Sequence, residues 1–187
     1  APRFGHIGDA GKSPWDGLTA RARQIEESKP VRPTCTVAIT RDIGEGVVRV
    51  TTSDDPVVRV RVKATVGAEQ AEAAQDLADQ VKLQLDSPPS MERVDIKVTG
   101  PSPQEKTKIA IKLDYEVTVP AGANVICKNE WGDTEISGVT GSVEIDSRFG
   151  AIDLRNIGGP VRARAWGEFP LRASQLRQGG TFELQGT

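Results

Sequence analysis

Histidine occurs once in this chain, at His6. That scarcity denies the rest of the sequence its commonest general base and its commonest metal ligand, so neither a histidine-based triad nor a histidine-rich metal centre is expected. Cysteine occurs twice, at Cys35 and Cys127, and the two are too far apart in sequence for zinc-type spacing. Apolar runs are short: none approaches the roughly 18 to 20 residues that carry a helix across a bilayer, so no membrane span is expected. An excess of positive charge is also missing. With 24 basic against 26 acidic side chains and no cluster of Lys and Arg interleaved with aromatics, nucleic acid is excluded as an expected partner. The repeated GGxGxD loop of calcium-binding rolls is absent, which argues against Asp133, Asp146 and Asp153 as ligands. Lys12-Ser13 after Gly11 lacks the glycine loop of a phosphate binder. No cofactor is expected. Methionine occurs once, at Met91, while the chain opens on Ala1, the mark of a processed chain and of an extracellular or bacterial cell-surface location.

What the sequence does have is order of two kinds. Residues 1–33 are rich in glycine, proline and charge, with Phe4, Ile7, Trp15, Leu18 and Ile25 as isolated apolar points. They read as a weakly helical leader, capped at Asp16, that needs another surface to dock on. Residues 34–121 alternate. Cys35, Val37 and Ile39, then Val48 and Val50, then Val58, Val60 and Val62 predict consecutive antiparallel strands, with Arg59, Arg61 and Lys63 facing out. The alternation breaks over 68–80, where Ala74, Leu77, Ala78 and Val81 fall at helical spacing and predict one inserted helix. Residues 122–187 repeat at about 18 positions: Val125, Val143 and Val161; Cys127, Ile145 and Ala163; Ile136, Leu154 and Leu171. Such a period predicts a short β-solenoid with glycine at its corners. Trp131, Phe149 and Trp166, each followed by glycine, are expected to stack as one structural aromatic column inside it.

The run WGDTEISGVTGSVEIDSRFGAIDLRNIGGPVRARAWGEFPL, preceded by VTVPAGANV, resembles the bacterial putative-adhesin domains of unknown function sometimes called toastrack domains. The resemblance covers about residues 34–171. It implies a β-rich envelope or extracellular module, often linked to surface attachment or envelope sensing, and it carries over no catalytic residues.

The residues offer few candidates for chemistry. Glu135 and Asp153, with Glu144 across the coil, are the carboxylates on which a carbohydrate-active β-helix enzyme would depend; nearby arginines make them ladder charges instead, and no catalytic activity is expected. Cys35 and Cys127 are candidates for a disulfide, since a lone pair in an exported chain often bridges. The strand at Phe182 and Leu184 ends without a polar cap. Together with Phe4, Ile7, Trp15, Leu18 and Ile25 it suggests head-to-tail self-association into a fibre. The alternative is a monomeric adhesin-like module that binds a surface glycan or protein.

Overall fold

The computed structural model of the chain describes residues 13–102 and 107–185. These form β1 (Thr19–Pro30), β2 (Thr36–Arg41), β3 (Val48–Ser53), β4 (Val57–Ala68), α1 (Ala71–Asp79), β5 (Lys82–Asp86), β6 (Arg93–Thr99), β7 (Ile109–Pro120), β8 (Asn124–Trp131), β9 (Thr134–Ser137), β10 (Val143–Phe149), β11 (Ile152–Ile157), β12 (Val161–Trp166), β13 (Leu171–Leu176) and β14 (Gly180–Gln185). The strands build two seven-stranded sheets. The first runs β1-β4-β7-β3-β9-β11-β13 and the second β14-β12-β10-β8-β2-β6-β5. Alternating residues of both sheets, among them Val37, Ile39, Val60, Val62, Leu113, Val117, Ile136, Ile145 and Leu154, bury one shared core.

The expected division into an antiparallel domain followed by a solenoid is corrected by this topology. β2 pairs in parallel with β8, and β3 in parallel with β7 and β9, so both sheets run unbroken across the expected boundary near residue 121. Among the described residues, antiparallel pairing is confined to β1–β4, β4–β7 and β5–β6. Each sheet is therefore mixed. Alternation specifies which side of a strand faces the core, but it says nothing about which strand lies alongside. Helix α1 does lie where the alternation breaks, with Ala74 and Ala78 fully buried.

In the last third the 18-residue spacing corresponds to ladder register: Val125, Val143 and Val161 lie side by side, as do Cys127, Ile145 and Ala163. The register slips at the corner after Trp166. Leu171 pairs with Ile152, and Leu154 with Ala173: Gly167-Glu168-Phe169-Pro170 holds one residue more than the preceding corner, which moves the ladder one position away from the 18-residue spacing and further still from a Leu154–Leu171 match. The three-ring column is broken before that corner: β12 keeps the same offset from β10, with Ser147 opposite Ala165, so Trp166 falls one position short of Phe149. Trp131 and Phe149 are ladder partners whose rings stack 4.3 Å apart at 16°, whereas Trp166 pairs with Gln185. Nor are the rings interior, since Phe149 and Trp166 are 39% and 38% exposed.

Two further expectations change. Residues 19–30 are a strand, hydrogen-bonded along its whole length to β4 of the same chain. The cysteines are free and buried. Cys127 lies opposite Ile39, which puts Cys35 four residues further along the ladder, roughly 13 Å away at about 3.3 Å per residue. A disulfide tolerates a Cα separation of only about 7 Å.

Candidate binding face on the first sheet

The outer face of the first sheet carries one row of charged side chains that crosses all seven strands. In register order it reads Glu26, Arg61, Glu116, Arg49, Glu135, Asp153 and Arg172. Six steps at about 4.8 Å make the row roughly 29 Å long. Arg61 bridges Glu26 and Glu116, both at 3.5 Å, and Arg49 reaches Glu135 at 2.8 Å. The sign alternates until Glu135 and Asp153 meet. There Arg155, two residues along β11, donates to Asp153 at 2.7 Å and holds its carboxyl below the usual range.

Beside this row the face is indented. Gln24 and Lys63 lie in the next row with Asp114, and Lys112 lies in the one beyond, opposite Thr65. Together with Arg49, Arg61 and Glu116 they line a cleft of 390 Å³, within the size range of small-ligand pockets. Four cations meet two carboxylates there, and both carboxylates are engaged. Asp114 accepts from the Val47 amide at 3.1 Å and lies 3.7 Å from Lys112, while Glu116 takes Arg61. Lys63 makes no ion pair among the described residues, although its ladder neighbour is Asp114.

A buried cation fixes the rim of this cleft. Arg41 continues the inward phase of β2 and is 2% exposed. Its Nε donates to Asn129 Oδ1 at 3.0 Å, Nη1 to the Leu113 carbonyl at 2.8 Å and Nη2 to the Gly46 carbonyl at 2.6 Å. Gly46 and Leu113 directly precede Val47 and Asp114, so one guanidinium ties β2 and β8 to the backbone at the cleft. Burial lowers its pKa, and the Tyr115 ring lies 5.9 Å away. Asn129 donates in turn to the Gly132 carbonyl and to Thr134 Oγ1. Gly132 adopts φ +113°, and a Cβ there would collide with the Gly46 carbonyl and Arg41.

The other expected residues are dispersed. Glu135 and Asp153 are neighbours on the first sheet, but Glu144 is on the second, beside Arg162. Asp133 caps a corner by accepting from the Ala151 amide, and Asp146 lies between Lys128 and Arg164 on the second sheet, so the three aspartates do not converge. Burial pushes the Cys127 thiol up to about 12, and Cys35 shifts the same way. Phe4 and Ile7 lie outside the described residues. Trp15 and Leu18 rest against Gly67 of β4, and the Trp15 indole donates to Glu45 at 3.1 Å. Ile25 packs on the core beside Val62. Phe182 and Leu184 stand exposed on the edge strand β14. Missing from the sequence reading are Arg41 and the grouping of Lys63 with Lys112. The outward phase of Arg59, Arg61 and Lys63 is legible, but their partners depend on the β4–β7 pairing.

The sequence matches no family model and no curated protein. Among solved structures it is similar to a putative cell adhesion protein from Clostridium sporogenes, at 8% identity and a TM-score of 0.33, covering 88% of this chain and 100% of that one. It is also similar to a putative adhesin from Bacteroides fragilis, at 10% identity and a TM-score of 0.34, covering 88% and 94%. A putative adhesin from Parabacteroides distasonis follows at 11% identity and a TM-score of 0.29, with the same coverage of 88% and 94%. All three of these structures are described as putative bacterial adhesion proteins or adhesins.

Proposed function

We propose that this chain is a non-catalytic, adhesin-like binding module displayed at a bacterial cell surface, with the outer face of the first sheet as its contact surface for a glycan or protein. The observation that carries the reading is the seven-strand charge row. Its spacing is set by ladder register and not by flexible loops, which gives a broad and preorganised polar surface. The leader segment supports this over the fibre, because Trp15, Leu18 and Ile25 are used within their own chain. The test is binding of the immobilised full chain to glycan arrays and to intact bacterial or host cells, beside a double variant Arg49→Glu and Arg61→Glu. The reading expects capture that the variant loses. Equal capture by both proteins would remove the first sheet from the contact.

Self-association is the second reading. It rests on Phe182 and Leu184, which are 36% and 65% exposed at the edge of the second sheet. Sedimentation at rising concentration decides it: a species that grows with concentration and reverts in Leu184→Ser supports assembly, and a constant monomer opposes it.

A further inference from the structure

The cleft between β1, β4, β7 and the start of β3 brings together four cations, of which one, Lys63, makes no ion pair among the described residues. We propose that it binds the carboxylate or sulfate groups of an acidic glycan, an inference that rests on the binding-module reading and names its ligand class. Lys63 supplies an ammonium with no ion pair among the described residues. Lys112, Arg49 and Arg61 each keep donors beyond those spent on their own carboxylates, since a guanidinium carries five N–H groups and an ammonium three. Gln24, Asp114 and Glu116 supply acceptors for hydroxyls, which an acidic sugar also presents.

Charge spacing decides between polyanions. Along the row Arg61 and Arg49 are separated by Glu116, hence by two strand steps, roughly 9.6 Å. Duplex DNA places one negative charge per about 1.7 Å of axis. A polyphosphate laid on this row would therefore press phosphates against Glu26, Glu116 and Glu135. A glycan charged once per ring or once per two rings can place its anions on the cations and its hydroxyls on the carboxylates between. The near-neutral balance of the whole chain, −2, gives no long-range pull toward a dense polyanion.

The experiment is calorimetric titration of the full chain with oligogalacturonate, a sulfated heparin-type oligosaccharide, a neutral malto-oligosaccharide and a DNA duplex, at low and moderate salt. The expected result is binding of one or both acidic oligosaccharides that weakens with salt; which of the two binds identifies the oxyanion. Lys63→Glu should weaken it by about ten-fold or more, the usual effect of losing one charge-assisted contact. Lys63→Gln should show an intermediate loss and Lys63→Arg should retain affinity. Lys82→Glu is the control, an equal charge change on β5 of the second sheet, and should leave affinity within about two-fold. Equal weakening by Lys63→Glu and Lys82→Glu would overturn the site, as would DNA binding as tight as the acidic sugar's. So would no binding of either acidic oligosaccharide at millimolar concentration. That last outcome leaves the binding module standing if neutral glycans or proteins are still captured, and the two failures are thereby separable.

Discussion

The two ends of the molecule handle the same problem in opposite ways. At one end the sheets finish in β1 and β5, which approach each other, and α1 lies against β1 and β4. There the inner side is closed: Leu83 and Leu85 are 9% and 8% exposed, and Ala74 and Ala78 are fully buried. The inward phase of β1 carries Arg21, Arg23, Glu27 and Lys29 beside the single Ile25, and Arg23 donates to the Asp79 and Val81 carbonyls where the helix ends. Inward-pointing charge is a known protection for an edge strand. At the other end β13 and β14 carry Leu171, Ala173, Leu176, Phe182 and Leu184 in the inward phase, with Ala173, Phe182 and Leu184 exposed. The difference teaches that apolar phase alone does not make a core. It also separates two kinds of surface: an apolar strip that any neighbour could cover, and a charged face whose spacing selects.

The largest effect should come from the centre that both ends share. Replacing Arg41 by Met orphans the acceptors at Gly46, Leu113 and Asn129 and should cost about 3 kcal/mol or more by chemical denaturation. A near-neutral result would mean that those carbonyls find other donors. Next comes the direct contrast. Leu85→Ala at the closed end should cost about 2 to 4 kcal/mol, whereas Leu184→Ala, at 65% exposure, should stay within about 0.5 kcal/mol. Similar losses from the two would erase the difference between the ends.

An alkaline melt sharpens the account of the interior. The Cys127 thiol keeps its proton to a pKa of about 12 in the fold, against an ordinary value of 9.0. The folded state therefore holds the proton more tightly than the unfolded state. Stability is full below about pH 9 and falls as pH rises toward 12, by about 1.4 kcal/mol per pH unit for this thiol. Burial shifts Cys35 and Tyr115 in the same direction. Cys127→Ala should flatten the decline, and a stability that rises with pH over this range would contradict the burial. The smallest effect belongs to the charge row: Glu135→Gln breaks a pair whose side chains are 50% and 44% exposed and should cost less than about 1 kcal/mol. A larger loss would make the row a stability device.

Much of this was legible in the sequence, and the limits have physical causes. The 18-residue period marks true ladder neighbours because side chains stack only when strands lie in register, as Val125, Val143 and Val161 do. The break at Leu171 was hidden, since an extra corner residue leaves the alternation on either side intact. The helical expectation for residues 19–30 fails because the edge position of β1 puts charges on both phases, leaving Ile25 without an alternating apolar pattern around it. The disulfide failed for a different reason: two inward cysteines on neighbouring strands need not be opposite each other. Of the site, the outward cations of β4 could be read, while their meeting with Lys112 and Glu116 required the pairing with β7.

Hydrogen exchange with the bound acidic oligosaccharide tests the central claim, that contact is made on the charged face and not at the open end. The account predicts slowed exchange over residues 59–65 of β4 and 112–116 of β7, with β13 and β14 unchanged. Protection confined to residues 171–185, with β4 and β7 unaffected, would contradict it.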